Sequence, residues 1–330
     1  MSKLAMSFAC GTYDRVMPLG CGLVIPEGID INYLPLHGVE TFWRQLRHAE
    51  FDISESSLST YTTLCAQGDE RFIAIPVFMS RAFRHSSLYV NAHKDIVRPG
   101  DLKGKIVGVP EYQISAAVWV RGILQDEYGV LPRDIIWRTG GQEAPGRVEK
   151  VAIHLPPQIT IGRIPSQMTL NVMLEKGEID ALITAGAPSS FEKGSPNVRR
   201  LFQNYREVEE DYFRKTGIFP IMHTIVIKRD IYRKNPWTAM SLYKAFTQAK
   251  NMVTSRYLEI GASSVTFPWL TDHAGRVEEI MGKDWWPYGV EANRKTLDTF
   301  LRYHHEQGLS PRLLAANELF APETLDEFKL

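Results

Sequence analysis

The chain has 330 residues, with 38 basic and 38 acidic side chains in balance. That length allows one large or two medium domains, and the zero net charge argues against an extended nucleic-acid surface while leaving room for a local basic pocket. Its three cysteines, Cys10, Cys21 and Cys65, form no C-x-x-C pair and no zinc spacing, so buried free thiols are expected rather than a Cys10–Cys21 bridge. In chain order, Phe8–Arg15 suggests a first strand running into a glycine turn, and Ile29–Leu36 a second strand ending at Pro35. Val39–His48 has the spacing of an amphipathic helix with Phe42, Trp43 and Leu46 inward. Phe51–Ile53 is a short strand, Ser54–Leu58 opens a helix with N-cap chemistry, and Arg71–Phe78 is an apolar strand. Lys105–Val109 is a buried strand closed by Pro110, followed by a helix that starts near Gln113 and Ser115 and stops at Gly129.

A second copy of the same pattern follows. Leu170–Lys176 is a helix, Gly177–Ala181 an acidic turn entering the strand Leu182–Ala185, and Gly186–Ser190 a small-residue loop. Gln45–Ser57 has the same order of helix, acidic turn, strand and serine-rich loop, so two similar α/β lobes are expected rather than a solenoid. His85–Asn91 would carry the chain into the second lobe and Ile221–Ile227 would carry it back. The expected lobes are therefore 1–85 with 225–330, and 86–224. Two crossovers imply a hinge and an interlobe cleft. After Asp230 the chain reads as helices at Trp237–Thr254, Ala274–Met281 and Glu291–Gln307. Trp237, Phe246, Phe300 and Tyr303 on these helices serve either core burial or the contact of a homo-oligomer. Pro145-Gly146 and Pro156-Pro157 mark irregular stretches.

Ligands of open α/β sheets bind beyond the carboxyl ends of strands. That rule selects Tyr13, Asp14 and Arg15, Ser54, Glu55 and Ser56, Ser80, Arg81, Arg84 and His85, then Glu111, Tyr112, Gln113 and Ser115, Pro188, Ser189 and Ser190, and finally His223. Arg81 and Arg84 suit anion binding, because guanidinium pairs bidentately with carboxylates. Glu111 is either a dipole partner of the helix start or, if burial raises its pKa, a general acid or base. His223 sits in an apolar strand, where a histidine is either a satisfied core residue or a proton-transfer group. His304-His305-Glu306 lacks a third metal ligand and fits a polar helix face, and Gly140, Gly141 and Gly146 form no dinucleotide fingerprint. No P-loop, nucleophile elbow or H-E-x-x-H occurs. Met1–Cys10 lacks the apolar core of a signal peptide and no run of about 18 apolar residues exists, so a cytoplasmic protein without membrane partners is expected.

Several stretches resemble the 4,5-dihydroxyphthalate decarboxylase family. They are Lys105–Gly122, Thr216–His223, Asp284–Gly289, Phe42–Arg44 with Phe51–Glu55, and Ile75–Phe78 with Arg84 and His85. The resemblance extends from about Ile25 to Pro322. It implies a two-lobed, type 2 periplasmic-binding-protein-like α/β fold with a helical C-terminal region. It implies a small aromatic dicarboxylate as substrate and loss of carbon dioxide from 4,5-dihydroxyphthalate to give 3,4-dihydroxybenzoate. On that basis Arg81 and Arg84 would hold carboxylates, assisted by the helix start at Gln113–Ser115, while His85 or His223 would donate the proton and Glu111 or Tyr112 would handle the phenol. Arg15, Ser54 and Glu55 complete the expected binding set. No cofactor motif appears, so a cofactor-free reaction is expected, with a divalent cation held by catechol oxygens and a carboxylate as the alternative. A solute receptor for an aromatic carboxylate is the competing class. A pyrimidine-synthase relative of the same fold would need a cysteine-rich segment, which the chain lacks.

Overall fold

The structure, a computed structural model, describes residues 3–261 and 265–326. Among the described residues, eleven strands form two sheets. They are β1 (Leu4–Cys10), β2 (Ile29–Pro35), β3 (Ile53–Ser57), β4 (Phe72–Arg81), β5 (Leu88–Asn91), β6 (Ile106–Val109), β7 (Ile136–Thr139), β8 (Ile161–Arg163), β9 (Ala181–Ile183), β10 (Val198–Arg200) and β11 (Ile221–Lys228). The five-stranded sheet runs β2-β1-β3-β11-β4 and the six-stranded sheet runs β10-β5-β9-β6-β7-β8. Read from β7 to β10, the second repeats the first. Each has two parallel neighbours around its leading strand, β1 or β6. Each also has one antiparallel strand, β11 or β5, lying between two others. The strands that carry the chain between sheets are those antiparallel ones, so each lobe receives its odd strand from the crossover. The repeated grammar of the sequence is thus a repeated topology, with β8 added at one edge.

The apolar strands are buried on both faces, as parallel sheets require. β4 carries Phe72, Ile73, Ala74, Ile75, Val77, Phe78 and Met79, all buried. One hydrophobic core runs from β1 through β4 and β11 into Val107, Trp119 and Trp137 of the second lobe. A smaller cluster around Leu170, Leu174 and Ile179 backs the six-stranded sheet. The C-terminal helices join the lobes. The helix Arg294–Glu306 lies on the helix Ser115–Tyr128, where Trp119 meets Phe300 and Tyr303. Gly122 permits this contact, because a Cβ there would sit 2.0 Å from the Tyr303 ring.

Several expectations change. Ser54, Glu55 and Ser56 do not open a helix; they belong to β3, and Ser57 caps the helix Leu58–Ala66 by accepting from the Thr60 N–H. Pairing with β11 outcompetes the local capping preference. The first strand is Leu4–Cys10, with Gly11 onward outside it. Trp43 is exposed beneath Arg47, and Trp237 is 46% exposed. His304 is fully buried rather than on a polar face. Cys10, Cys21 and Cys65 are free, but only Cys10 is buried. β7, β8, β10 and the helix Tyr205–Thr216 have no counterpart in the sequence reading.

Candidate active site

A cleft of about 560 Å³ opens between the two sheets. Loops after β1 and β2 form one wall, the start of the helix Ser115–Tyr128 and the segment around Arg147–Lys150 the other, and Arg84, Met222 and His223 the base. Three helices begin here: Gly38–His48, Leu58–Ala66 and Ser115–Tyr128. Their first turns present N–H groups and positive dipole ends, which favour anions. Pro35, Leu36, Val39, Phe42, Ile114 and Met222 supply apolar lining suited to a planar ring.

The chemistry-bearing pair joins β3 to β11. Glu55 on β3 lies beside Ile225 and His223 on β11 lies beside Ser57, where the register against β4 shifts on both sides of His223. Such irregularities re-aim side chains. His223 Nδ1 is 2.6 Å from Glu55 Oε1, which also accepts from Tyr13 Oη at 2.7 Å, while Oε2 takes the Gly11 N–H at 3.3 Å. Phe42 meets the His223 ring edge-on with centroids 4.9 Å apart. Glu55 is fully buried. Burial opposes its charge, but His223, Tyr13 and the Gly11 N–H overcome that penalty and hold the carboxyl below its ordinary value. An ionised Glu55 accepts the Nδ1 proton, so Nε2 is the ring nitrogen left for the cleft. Burial, then Glu55, pushes the Tyr13 phenol up.

Glu111 is the second buried carboxylate. Its Oε1 faces Lys150 Nζ and both Nε and Nη2 of Arg147, at 2.8 and 2.7 Å for the latter. Its Oε2 accepts from Lys150 N at 3.1 Å and Gln113 Nε2 at 3.1 Å. Burial alone would raise its pKa, as the sequence reading supposed, but Lys150 and Arg147 reverse the direction and hold it low. Glu111 is therefore an anchor for two cations of the cleft wall, and no proton is available from it at neutral pH.

The expected residues divide sharply. Tyr13, Arg84, Ser115 and His223 line the cleft. Arg84 donates to Ser87 Oγ at 3.3 Å and the Ala185 carbonyl at 3.4 Å. Ser115 Oγ is 3.0 Å from Ser57 Oγ and accepts from the Ser59 N–H, and Gln113 accepts from Thr60 Oγ1, so both tie the lobes together. Glu55 and Glu111 stand directly behind cleft groups. The other residues are elsewhere. Arg81 is buried against the Phe219 and Pro287 carbonyls and Asn293 Oδ1, fastening the C-terminal segment. His85 is enclosed by Tyr128, Phe202 and Tyr212, and burial pushes its pKa down to about 4. Tyr112 packs on Trp137 under the Arg121 guanidinium. Arg15 lies between the Tyr13 and Trp286 rings and donates to the Met79 carbonyl, and Ser54 is buried within β3. Sequence reasoning missed Arg147, Lys150, His37 and Phe42. Only the basic residues flanking Pro145-Gly146 hinted at the first two, and an irregular stretch has no periodicity to aim them.

Among the described residues, no group of three or more His, Cys, Asp or Glu could hold a metal ion, and no helix is long and apolar enough to cross a membrane.

No family model matches the chain. The chain is 42% identical over 330 residues, the whole of both proteins, to a 4,5-dihydroxyphthalate decarboxylase of Comamonas testosteroni. It is 43% identical over 214 residues to one of Pseudomonas putida, covering 65% of this chain and 83% of the relative. Among solved structures it resembles the periplasmic aliphatic sulphonate-binding protein SsuA of Escherichia coli, with a TM-score of 0.54, 12% identity, and 98% and 99% of the two chains covered. A putative periplasmic sulfonate-binding SsuA of Methylobacillus flagellatus KT gives a TM-score of 0.55 at 14% identity, covering 98% and 93%. At such identities these structures support the two-lobed fold alone.

Proposed function

We propose a reaction for this chain, which belongs to the 4,5-dihydroxyphthalate decarboxylase family: loss of carbon dioxide from 4,5-dihydroxyphthalate to give 3,4-dihydroxybenzoate, by acid catalysis in the cleft. The observation that carries the mechanism is the His223–Glu55 pair at the base of a cleft that also holds Arg84, Arg147 and Lys150. Simple heterolysis of the carbon–carbon bond would leave an aryl anion of prohibitive energy. Protonation of the ring carbon that bears the departing carboxylate avoids it. The hydroxyl para to that carbon feeds electron density into it, and His223, in its imidazolium form, delivers the Nε2 proton. The bond to the carboxylate then breaks, its electron pair restores aromaticity, and carbon dioxide leaves. Neutral His223 keeps its Nδ1 proton, which it donates to Glu55, and recovers the other from water. One proton is consumed and one carboxylate lost.

The chain's own groups meet the needs of this reaction. Positive charge and helix N-termini attract a dianion, apolar lining takes the ring, and Glu55 with Phe42 fixes the plane of the imidazole. Acid catalysis of this type contributes on the order of 10²–10⁴ in rate. The reading includes no cofactor, because the proton comes from His223 and the charge handling from the cleft cations. Metal-stripped protein incubated with 4,5-dihydroxyphthalate should release carbon dioxide while the ultraviolet spectrum converts to that of the monoacid. Binding without turnover, with or without added divalent metal, would reject the reaction.

A further inference from the structure

The two carboxylates of 4,5-dihydroxyphthalate are chemically equivalent, so the protein must choose which one stays. We propose that Arg147 and Lys150, posed by Glu111, clamp the retained carboxylate, and that this clamp makes a second carboxylate obligatory in the substrate. The inference rests on the decarboxylase reading. Its physical basis is the arrangement of donors. Glu111 Oε1 occupies the Nε–Nη2 edge of Arg147 and one direction of the Lys150 ammonium. Arg147 Nη1 and the remaining ammonium protons of Lys150 make no hydrogen bond among the described residues, and both side chains line the cleft. Lys150 is only 9% exposed and Glu111 not at all, so the ammonium is held in place, while Arg147 is 34% exposed and reaches the cleft from the same anchor. Glu111 and the neighbouring Glu149, whose carboxyl burial pushes up to about 7, share this wall with the two cations, and an arriving carboxylate would pair with the donors that Glu111 leaves open.

The wall matters as much as the charge. Glu111 follows β6 and the Arg147–Lys150 segment follows β7, both of the six-stranded sheet, whereas His223 and Glu55 sit on β11 and β3 of the five-stranded sheet. The two carboxylates stand on adjacent ring carbons, so a ring held by one of them at the Arg147–Lys150 side keeps the other near the base, where His223 lies. Strong pairing of the departing group would stabilise the ground state and slow its loss, so the cations serve better on the group that remains. The product then has one carboxylate. It sits in the clamp and offers His223 no leaving group, which stops the reaction after a single decarboxylation.

The test uses non-reacting probes first. Calorimetric titration of phthalate and benzoate should show that Lys150→Met and Arg147→Gln each weaken both ligands by about tenfold or more, while His223→Asn, on the five-stranded sheet, leaves both within about threefold. Arg147→Gln, on a side chain 34% exposed, keeps the test intact if Lys150→Met disturbs folding. In turnover, KM for 4,5-dihydroxyphthalate and the inhibition constant of 3,4-dihydroxybenzoate should rise together in these variants, with kcat within about threefold. Affinities unchanged in both clamp variants, equal weakening by His223→Asn, or release of carbon dioxide from 3,4-dihydroxybenzoate by the wild-type protein would overturn the clamp. Failure of the wild type to decarboxylate the diacid would instead strike the reaction, and the binding arm would still judge the clamp.

Discussion

Glu55 and Glu111 are both fully buried carboxylates behind the cleft wall, and both are held below the ordinary carboxylate range. They differ in what holds them. Glu55 is paired with a histidine, a side chain suited to passing a proton through its ring nitrogens. Glu111 is paired with an arginine and a lysine. Burial and a low pKa are therefore common to both carboxylates, and the partner is what differs. A carboxylate behind an imidazole can orient a proton in transit, whereas one behind two fixed cations can only place them.

The largest effect expected from breaking this comparison is at His223. His223→Asn should lower kcat by at least about a hundredfold while phthalate still binds, because the acid is lost and the cationic wall is intact. Glu55→Gln should lower kcat by about tenfold or more and leave KM nearly unchanged, since the ring loses its orienting acceptor. Glu111→Gln should do the reverse, raising KM about tenfold with kcat within about threefold, because Arg147 and Lys150 lose their anchor. A kcat loss in Glu111→Gln matching that of Glu55→Gln would erase the distinction between them.

A smaller effect separates both carboxylates from His85. The depressed pKa values of Glu55 and Glu111 contribute stability that is present above the ordinary carboxylate value of about 4.3 and is lost as pH falls through their lower native values. His85, pushed down to about 4 by burial, contributes stability that is present above about 6.5 and is lost as pH falls toward 4. Urea midpoints across pH should show His85→Phe flattening the decline between about pH 6.5 and 4 while leaving turnover within about twofold. An equal slope in wild type and variant over that window would show that His85 is solvated.

The repeated helix–turn–strand pattern, visible as Gln45–Ser57 and Leu170–Ser190, was legible because burial imposes its period on a strand or helix wherever it forms. Strand ends were legible too, which is why His223, Arg84 and Ser115 could be picked out as cleft candidates. The direction of a side chain at a strand end was not. Arg81 and Arg84 are three residues apart, yet one fastens the C-terminal segment and the other lines the cleft. Arg147 and Lys150 lay beyond reach, because their segment is shaped by contacts with Glu111 and not by its own periodicity.

By itself the sequence determined the α/β class, the two copies, the crossovers and the family resemblance, since these follow from local apolar patterning and residue identity along the chain. Tertiary structure alone decided that Glu55 pairs with His223 across 168 positions, that Glu111 is an anchor rather than an acid, and that His85 is core. Proton affinity and hydrogen-bond partners depend on neighbours brought together by folding, and spacing along the chain does not encode them.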